Sequence, residues 1–136
     1  MTGDNRELIG RLHGRLLGSR DVSVLDEFFA PDFVSHNTPP GFPPGVEGVR
    51  RFFEAFRDGL PDVEVSVDEL VAEGDRVAVA TTIRGTHDGE LFGHAPTGRR
   101  VEITGIDLVR VRDGRIVEHR GLTDMVGLLR QLGGPG

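Results

Sequence analysis

The sequence predicts an α+β fold in which N-terminal helices pack in the concave face of a curved antiparallel sheet. Two observations carry this prediction. Apolar residues recur with a helical period before residue 61, and they alternate with polar residues after it. The length of 136 residues, with 37% hydrophobic and 28% charged residues, fits a single domain over residues 1–136 with an adequate core.

Three helices are expected before the first strand. Leucine recurs every fourth residue over 8–16 and predicts an amphipathic first helix. Residues 25–30 indicate a short second helix that ends before Pro31, and the phenylalanine-rich stretch 49–60 predicts a third.

Four strands are expected after these helices. Valine alternates with polar residues over 63–67, and a second alternating run covers 77–83. Residues 100–112 and 115–123 read as two strands joined by Asp113-Gly114, a pair that tolerates the positive φ angles of a two-residue hairpin turn.

The register of this hairpin determines the candidate site. Counting outward from the turn places Asp107 opposite Arg120, on one face with Asp124, whereas His119 faces Leu108 and is expected to pack. An acid, a guanidinium and a second acid among aliphatic residues can form the wall of an active site, with Asp124 as the proton acceptor. A β-bulge would invert the parity beyond it.

Two simpler interpretations stay open at this point. Asp107 and Arg120 can form a cross-strand ion pair without catalytic use, and Asp124 can be the N-cap of a closing helix over residues 126–132.

Composition excludes several classes of chemistry. The formal charge of −6 argues against a nucleic-acid partner, and all 16 basic residues are arginine. Because the chain has no Lys, Cys, Tyr or Trp, it cannot use a lysine Schiff base or a thiolate nucleophile. The first twenty residues contain no signal peptide or membrane span, so we expect a cytoplasmic protein with no membrane partner.

The histidines are the other proton carriers. His36, which precedes Asn37 and a proline-rich loop, and His87, in a glycine-rich connection, lie where binding groups collect and are candidate general acids. Histidine spacing shows no metal signature, and no glycine-rich dinucleotide motif follows a strand, so we predict no metal and no cofactor.

In order and spacing, several segments together resemble the SnoaL-like polyketide cyclases, a family of the nuclear-transport-factor-like, cystatin-like α+β cones. These segments are Phe33-Val34-Ser35-His36, Gly45-Val46-Glu47-Gly48, Gly74-Asp75-Arg76-Val77, Pro96-Thr97-Gly98, Gly105-Ile106-Asp107, Asp113-Gly114-Arg115-Ile116-Val117-Glu118-His119 and Gly127-Leu128-Leu129-Arg130-Gln131-Leu132-Gly133. The resemblance implies a homodimer through the outer sheet face and a cavity for a small organic molecule with carbonyl groups. It also implies ring closure by intramolecular aldol chemistry without a cofactor.

The resemblance also implies roles for individual residues. Asp124 matches the position of the acid/base, and Asp107 and His36 match polar pocket positions. The aldol hypothesis is that Asp124 removes a proton from carbon and that His36 or His87 protonates the alkoxide. The expected substrate contacts are Arg120, as anchor for an enolate or carboxyl group, and Asn37, Phe33 and Phe53.

Three alternatives are kept. Arg120 beside two aspartates is similar to the Asp-Arg-Asp set of limonene epoxide hydrolases, although Gly121 stands where the base of those enzymes would lie and the chain has no Tyr. A noncatalytic small-ligand-binding protein is the second. The third is a structural dimer whose cavity is filled by Phe28, Phe33, Phe53 and Phe92.

Overall fold

The computed structural model describes residues 5–12, 25–36 and 41–133. In chain order its elements are α1 (residues 5–12), α2 (Leu25–Phe28), β1 (Phe29–Ser35), α3 (Val46–Gly59), β2 (Glu64–Glu73), β3 (Arg76–Thr86), β4 (Arg100–Arg112), β5 (Arg115–Thr123) and α4 (Met125–Gln131). The α+β fold class is confirmed. None of the helices within these ranges is long and apolar enough to cross a bilayer.

The five strands form one mixed sheet in the order β1-β5-β4-β3-β2. Strand β1 runs parallel to β5, and the other neighbours are antiparallel. The prediction of a wholly antiparallel sheet preceded only by helices is therefore wrong for residues 29–35. Pro31 lies within this strand, and proline is tolerated there because β1 is at the edge of the sheet. A register shift between Phe29 and Val34 breaks the alternation of apolar and polar residues by which a strand is recognised in a sequence.

The helices of the described ranges cover one face of the sheet, here called the inner face, and leave the opposite, outer face without them. Buried residues on the inner face fall into two clusters. The first comprises Leu8, Ile9, Leu12, Leu25, Phe28, Phe29, Phe33, Val77, Val79, Val109, Val111 and Ile116. The second comprises Phe56, Leu60, Leu91, Val101, Ile103, Leu128 and Leu132. Helix α3 spans both, because Phe53 packs against the first cluster and Phe52 against the second.

The β4–β5 hairpin has the predicted turn, with Asp113 and Gly114 at φ 51° and 75°. The predicted register holds only next to the turn, where Arg112 pairs with Arg115 and Val111 with Ile116. The next pair is Arg110 with Glu118, so Val117 is an extra residue in β5. This bulge exchanges the two faces of β5 for all later residues.

Asp62, which follows α3, ties together the ends of three elements. Its carboxylate accepts hydrogen bonds from Thr86 N (2.6 Å) and Thr86 Oγ1 (2.8 Å) at the end of β3, and from Arg100 Nη1 (3.3 Å) at the start of β4. The backbone and side-chain bonds from Thr86, with a smaller contribution from Arg100, hold the pKa of Asp62 below its ordinary range.

We expect this contact to make the free energy of unfolding sensitive to acid. A carboxyl with a depressed pKa in the folded state stabilises the fold above its unfolded pKa of about 4, and this stabilisation is lost as the pH falls further. Asp62→Asn should therefore lower stability at pH 7 and flatten its decline below about pH 4, measured by urea unfolding across pH. Asp32→Asn, at an exposed residue of β1, is the matched control. An unchanged acid decline in the Asp62 variant would contradict this account.

Candidate active site

Small and polar residues separate the two apolar clusters on the inner face. Strand pairing places Asp107 between Val79 and Gly121, and the adjacent row contains Thr81, Gly105 and Thr123. We call Thr81, Gly105, Asp107, Gly121 and Thr123 the polar seam. Neither glycine has a side chain, and the space that a Cβ atom would take at Gly121 is occupied by Asp107 and His119.

Asp107 and His119 form the central contact of this region. His119 Nε2 lies 2.8 Å from Asp107 Oδ1, and the two side chains are 26% and 32% exposed respectively. This partial exposure leaves the pair accessible from outside the packed core. Among the described residues, no hydrogen bond to Asp107 Oδ2 accompanies this contact.

The contacts of His119 define its tautomer. A carboxylate only accepts hydrogen bonds, so Nε2 must carry the proton that points at Asp107. The other ring nitrogen, Nδ1, lies 3.4 Å from Ser35 Oγ, and in the neutral ring it accepts a hydrogen bond from this hydroxyl. Phe33 packs beside the imidazole with a centroid distance of 6.3 Å. Ser35, His119 and Asp107 thus form one hydrogen-bonded line.

Gly121 makes room for this pair. A Cβ atom built on Gly121 would lie far inside van der Waals contact with Asp107 Oδ1 and 2.6 Å from His119 Nε2. The two polar side chains therefore occupy the space that any other residue at 121 would fill.

Asp124 is not the inward-facing, poorly hydrated acid that we expected. It is exposed and is the N-cap of α4, where Oδ1 accepts from Gly127 N at 2.8 Å. The interpretation of Asp124 as an N-cap therefore describes its position. A side chain that caps a helix at the surface already has its hydrogen-bond partner there.

The predicted Asp107–Arg120 pairing is also wrong. The bulge at Val117 places Arg120 opposite Leu108 on the outer face, exposed, and brings His119 to the inner face. The sequence predicts that His119 packs against Leu108, and this prediction is wrong. The inner-face position of His119 can be predicted only by locating a β-bulge in β5. The Asp-Arg-Asp set is therefore not assembled.

The other predicted residues are dispersed. His36 is exposed, with Nε2 3.5 Å from Glu118 Oε2, and Glu118 lies on the outer face. His87 is fully buried, and its Nδ1 lies 3.0 Å from Thr97 Oγ1 at the base of a loop. Asn37 lies outside the described residues. Of the predicted aromatic contacts, Phe33 is buried beside His119 and Phe53 is partly buried on α3.

Two further features concern ligands. The described residues contain no group of three or more His, Cys, Asp or Glu side chains that could hold a metal ion. A separate groove of about 460 Å³ lies at the hairpin turns, lined by Asn5, Leu8, Arg11, Gly74, Asp75, Val111, Asp113 and Gly114. None of the polar-seam residues lines it.

Comparison with known proteins places the chain. The profile of the SnoaL-like polyketide cyclases matches residues 7–132. The chain belongs to this family. Nogalonic acid methyl ester cyclase from Streptomyces nogalater is 34% identical over 119 residues, covering 82% of this chain and 84% of the relative. Aklanonic acid methyl ester cyclase DauD from Streptomyces sp. (strain C5) is 33% identical, covering 82% and 68%.

Solved structures agree with this family membership. IdmH from Streptomyces antibioticus is 36% identical with a TM-score of 0.83, covering 95% of this chain and 98% of the other. TsrD from Streptomyces laurentii has a TM-score of 0.87 at 27% identity, covering 99% and 98%. The chain is thus a SnoaL-like cyclase, which carries the Asp107–His119 pair on the inner face of its sheet.

Gly121→Ala should disrupt this pair. The new methyl group forces Asp107 and His119 apart, so we expect at least a tenfold loss of activity together with a destabilisation of about 1–3 kcal/mol. Thermal unfolding and the imidazole nitrogen shifts of His119 by NMR measure the two effects.

Gly10→Ala is the matched control, since a Cβ at this α1 position meets no atom of the described residues within 4 Å. It should leave His119 unchanged and stabilise the helix by up to about 1 kcal/mol. If the Gly121→Ala variant kept an intact His119 environment, Gly121 would have no such role.

Proposed function

We propose that this cyclase closes a ring of a polyketide ester by an intramolecular aldol reaction, with Asp107 as the base. The observation that carries this proposal is the 2.8 Å contact between His119 and Asp107 of the polar seam. Relatives that are about a third identical are named cyclases of polyketide methyl esters, which supports a substrate of the same class.

The reaction needs one group that takes a proton and later returns it. Asp107 Oδ2 removes a proton from a carbon flanked by carbonyl groups, and the resulting enolate attacks a ketone carbon in the same molecule. The new C–C bond converts that carbonyl into an alkoxide, which takes the proton back from Asp107. No proton is gained or lost overall, so one carboxyl group suffices.

His119 orients the carboxylate in this scheme. Its Nε2–H group donates a hydrogen bond to Oδ1 and so restricts rotation of the carboxylate. This contact therefore sets the direction of Oδ2 as well. The hydroxyls of Thr81 and Thr123, in the row next to Asp107, can donate to the developing enolate oxygen. These donors replace the role that the sequence analysis gave to Arg120, which lies on the outer face.

The rival functions have less support. An epoxide hydrolase of the Asp-Arg-Asp type needs an arginine beside its aspartates, whereas Arg120 lies on the outer face. A cavity filled entirely by aromatic side chains does not account for a polar pair that remains about one-third exposed on the inner face. A noncatalytic binder would return its ligand unchanged, and the turnover assay below distinguishes it.

We also propose a homodimer through the outer face. Two adjacent cross-strand rows carry an apolar patch there, which consists of Val71, Ala78, Ala80, Ile106, Leu108 and Leu122. Ile106 is 65% and Leu122 is 74% exposed, and a second copy of the chain would bury them. Arg120 and Glu69 flank the patch, so a two-fold arrangement can bring opposite charges together. The cytoplasmic location stays a prediction from the sequence of the first twenty residues.

Replacing the base should abolish turnover. Asp107→Asn keeps the shape of the side chain but removes its basicity, so we expect kcat to fall by roughly 10²- to 10⁴-fold. The measurement is conversion of nogalonic or aklanonic acid methyl ester, followed by chromatography. Asp124→Asn should retain most activity, because asparagine caps a helix nearly as well as aspartate. The reverse pattern, with loss only in the Asp124 variant, would return the base to Asp124.

The dimer has its own test. Light scattering should give twice the mass of the 14.8 kDa chain for the wild type and the monomer mass for Ile106→Glu. Val126→Glu, at a residue of α4 that is 61% exposed, is the matched control and should stay dimeric. A monomeric wild type at tens of micromolar would contradict the proposal.

A further inference from the structure

Strand β1 contacts His119 at three points. The parallel pairing aligns Ser35 with His119, and His36 N donates a backbone hydrogen bond to His119 O at 2.9 Å. On the side-chain level, Ser35 Oγ lies 3.4 Å from Nδ1 of the same histidine, and the Phe33 ring lies beside the imidazole. One edge strand therefore holds both the backbone and the side chain of His119.

The hydrogen bonds on the two sides of the His119 ring favour the same tautomer. Because Nε2–H donates to Asp107 Oδ1 at 2.8 Å, Nδ1 of the neutral ring carries a lone pair and no proton. The Ser35 hydroxyl donates to that lone pair. A ring with its proton on Nδ1 would have no donor to offer Asp107. Ser35 thus favours, from the far side of the ring, the tautomer that binds the carboxylate.

The two contacts of the ring differ in length. The 2.8 Å between His119 Nε2 and Asp107 Oδ1 is an ordinary hydrogen bond, whereas the 3.4 Å at Nδ1 exceeds the usual range of about 2.7–3.2 Å for nitrogen and oxygen. Hydrogen bonds at catalytic groups are often long without substrate and shorten when it binds. We therefore expect Ser35 to contribute less than Asp107, and to change the rate without abolishing turnover.

The geometry favours a positioning role for Ser35 over a nucleophilic one. A serine, a histidine and an aspartate in line are also the components of a nucleophilic site, which needs N–H donors for the developing oxyanion. The N–H of His36, the residue after Ser35, is already bonded to His119 O. This donor is therefore not free to bind an oxyanion.

We propose that Ser35 is a positioning residue, whose hydroxyl holds His119 in the tautomer that orients Asp107 for proton abstraction. This inference rests on the proposed cyclase reaction, in which Asp107 is the base. Ser35 acts through the imidazole and does not contact the substrate. Since a hydroxyl can also accept a hydrogen bond, it remains a suitable partner for Nδ1 when the ring carries both protons.

Ser35→Ala removes the hydroxyl with little change in volume. We expect kcat for aklanonic acid methyl ester to fall about tenfold with KM changed less than about twofold, because the lost contact is not made to the substrate. Ser35→Thr restores the hydroxyl and suits a strand, so it should keep at least about half of the wild-type kcat. Ser66→Ala is the matched control, since it removes a hydroxyl that donates to Asp68 at 2.8 Å on the opposite edge strand, and it should leave kcat unchanged.

The imidazole nitrogen shifts of His119 give a readout that a merely structural role would not change. The chain has five histidines, and His119→Gln identifies the signals of this ring. In the wild type the shifts should show a proton on Nε2 and a hydrogen-bonded, unprotonated Nδ1. In Ser35→Ala the Nδ1 signal should move to that of a nitrogen without a donor, and the fraction of the other tautomer should rise. Thermal unfolding of each variant controls for loss of the fold.

A double-mutant cycle tests whether Ser35 acts through Asp107. Ser35→Ala should lower kcat about tenfold in the wild-type background but less than about twofold in the Asp107→Asn background, where no carboxylate remains to be oriented. A tenfold loss in both backgrounds would overturn the inference.

The remaining outcomes distinguish this inference from the proposed function. Unchanged kcat and unchanged His119 shifts in Ser35→Ala, or a loss that Ser35→Thr does not rescue, would overturn the role of Ser35 even if Asp107→Asn is inactive. Labelling of Ser35 by a fluorophosphonate, detected by mass spectrometry, would identify a nucleophile and would also overturn it. Full turnover in Asp107→Asn would reject the proposed function, and the role of Ser35 in orienting the base would fall with it.

Discussion

One extra residue in β5 determines which side chains face the helices. Successive residues of a strand point to opposite faces, so inserting Val117 between paired positions exchanges the faces for everything that follows. Without the bulge, Arg120 would meet Asp107. With it, Gly121 lies opposite Asp107, His119 reaches the carboxylate from the neighbouring row, and Arg120 joins the outer face. The candidate site depends on this displacement of a single residue more than on any individual hydrogen bond.

The second requirement is the lack of a side chain at Gly121. The inner face would otherwise close into one apolar core, as its valines and isoleucines do on either side of the seam. Gly105 and Gly121 prevent this, and the space over Gly121 holds the two polar side chains themselves. The pair is only partly buried, so its desolvation cost is much smaller than for a fully buried ion pair, which amounts to several kcal/mol per ion. Burial of the apolar residues in the two clusters provides stability that the polar seam does not contribute.

Local patterns carried most of the fold. The leucine repeat of α1, the valines of β2 and β3 and the Asp113-Gly114 turn each express a period or a turn chemistry that acts over a few residues. Strand β1 could not be read, because its parallel partner lies more than eighty residues away and its alternation is broken. The site was missed for a related reason. No local signal distinguishes a bulge at Val117 from an ordinary strand residue, so Asp107 was identified but was given the wrong partner.

The loop between β3 and β4 shows that stability has not been optimised everywhere. Thr97 N donates to His87 Nδ1 at 3.3 Å, so the proton of the neutral ring lies on Nε2, which has no partner among the described residues. An unsatisfied buried donor costs about 1–3 kcal/mol, and a left-handed L-residue such as Phe92 costs about 1–2 kcal/mol more. Both costs fall within six residues of one connection. Asparagine at 92 would remove the second cost, because it suits this turn. The Phe92 ring offsets part of this cost through its contacts with Phe56, at a centroid distance of 5.3 Å, and Phe52, at 6.2 Å.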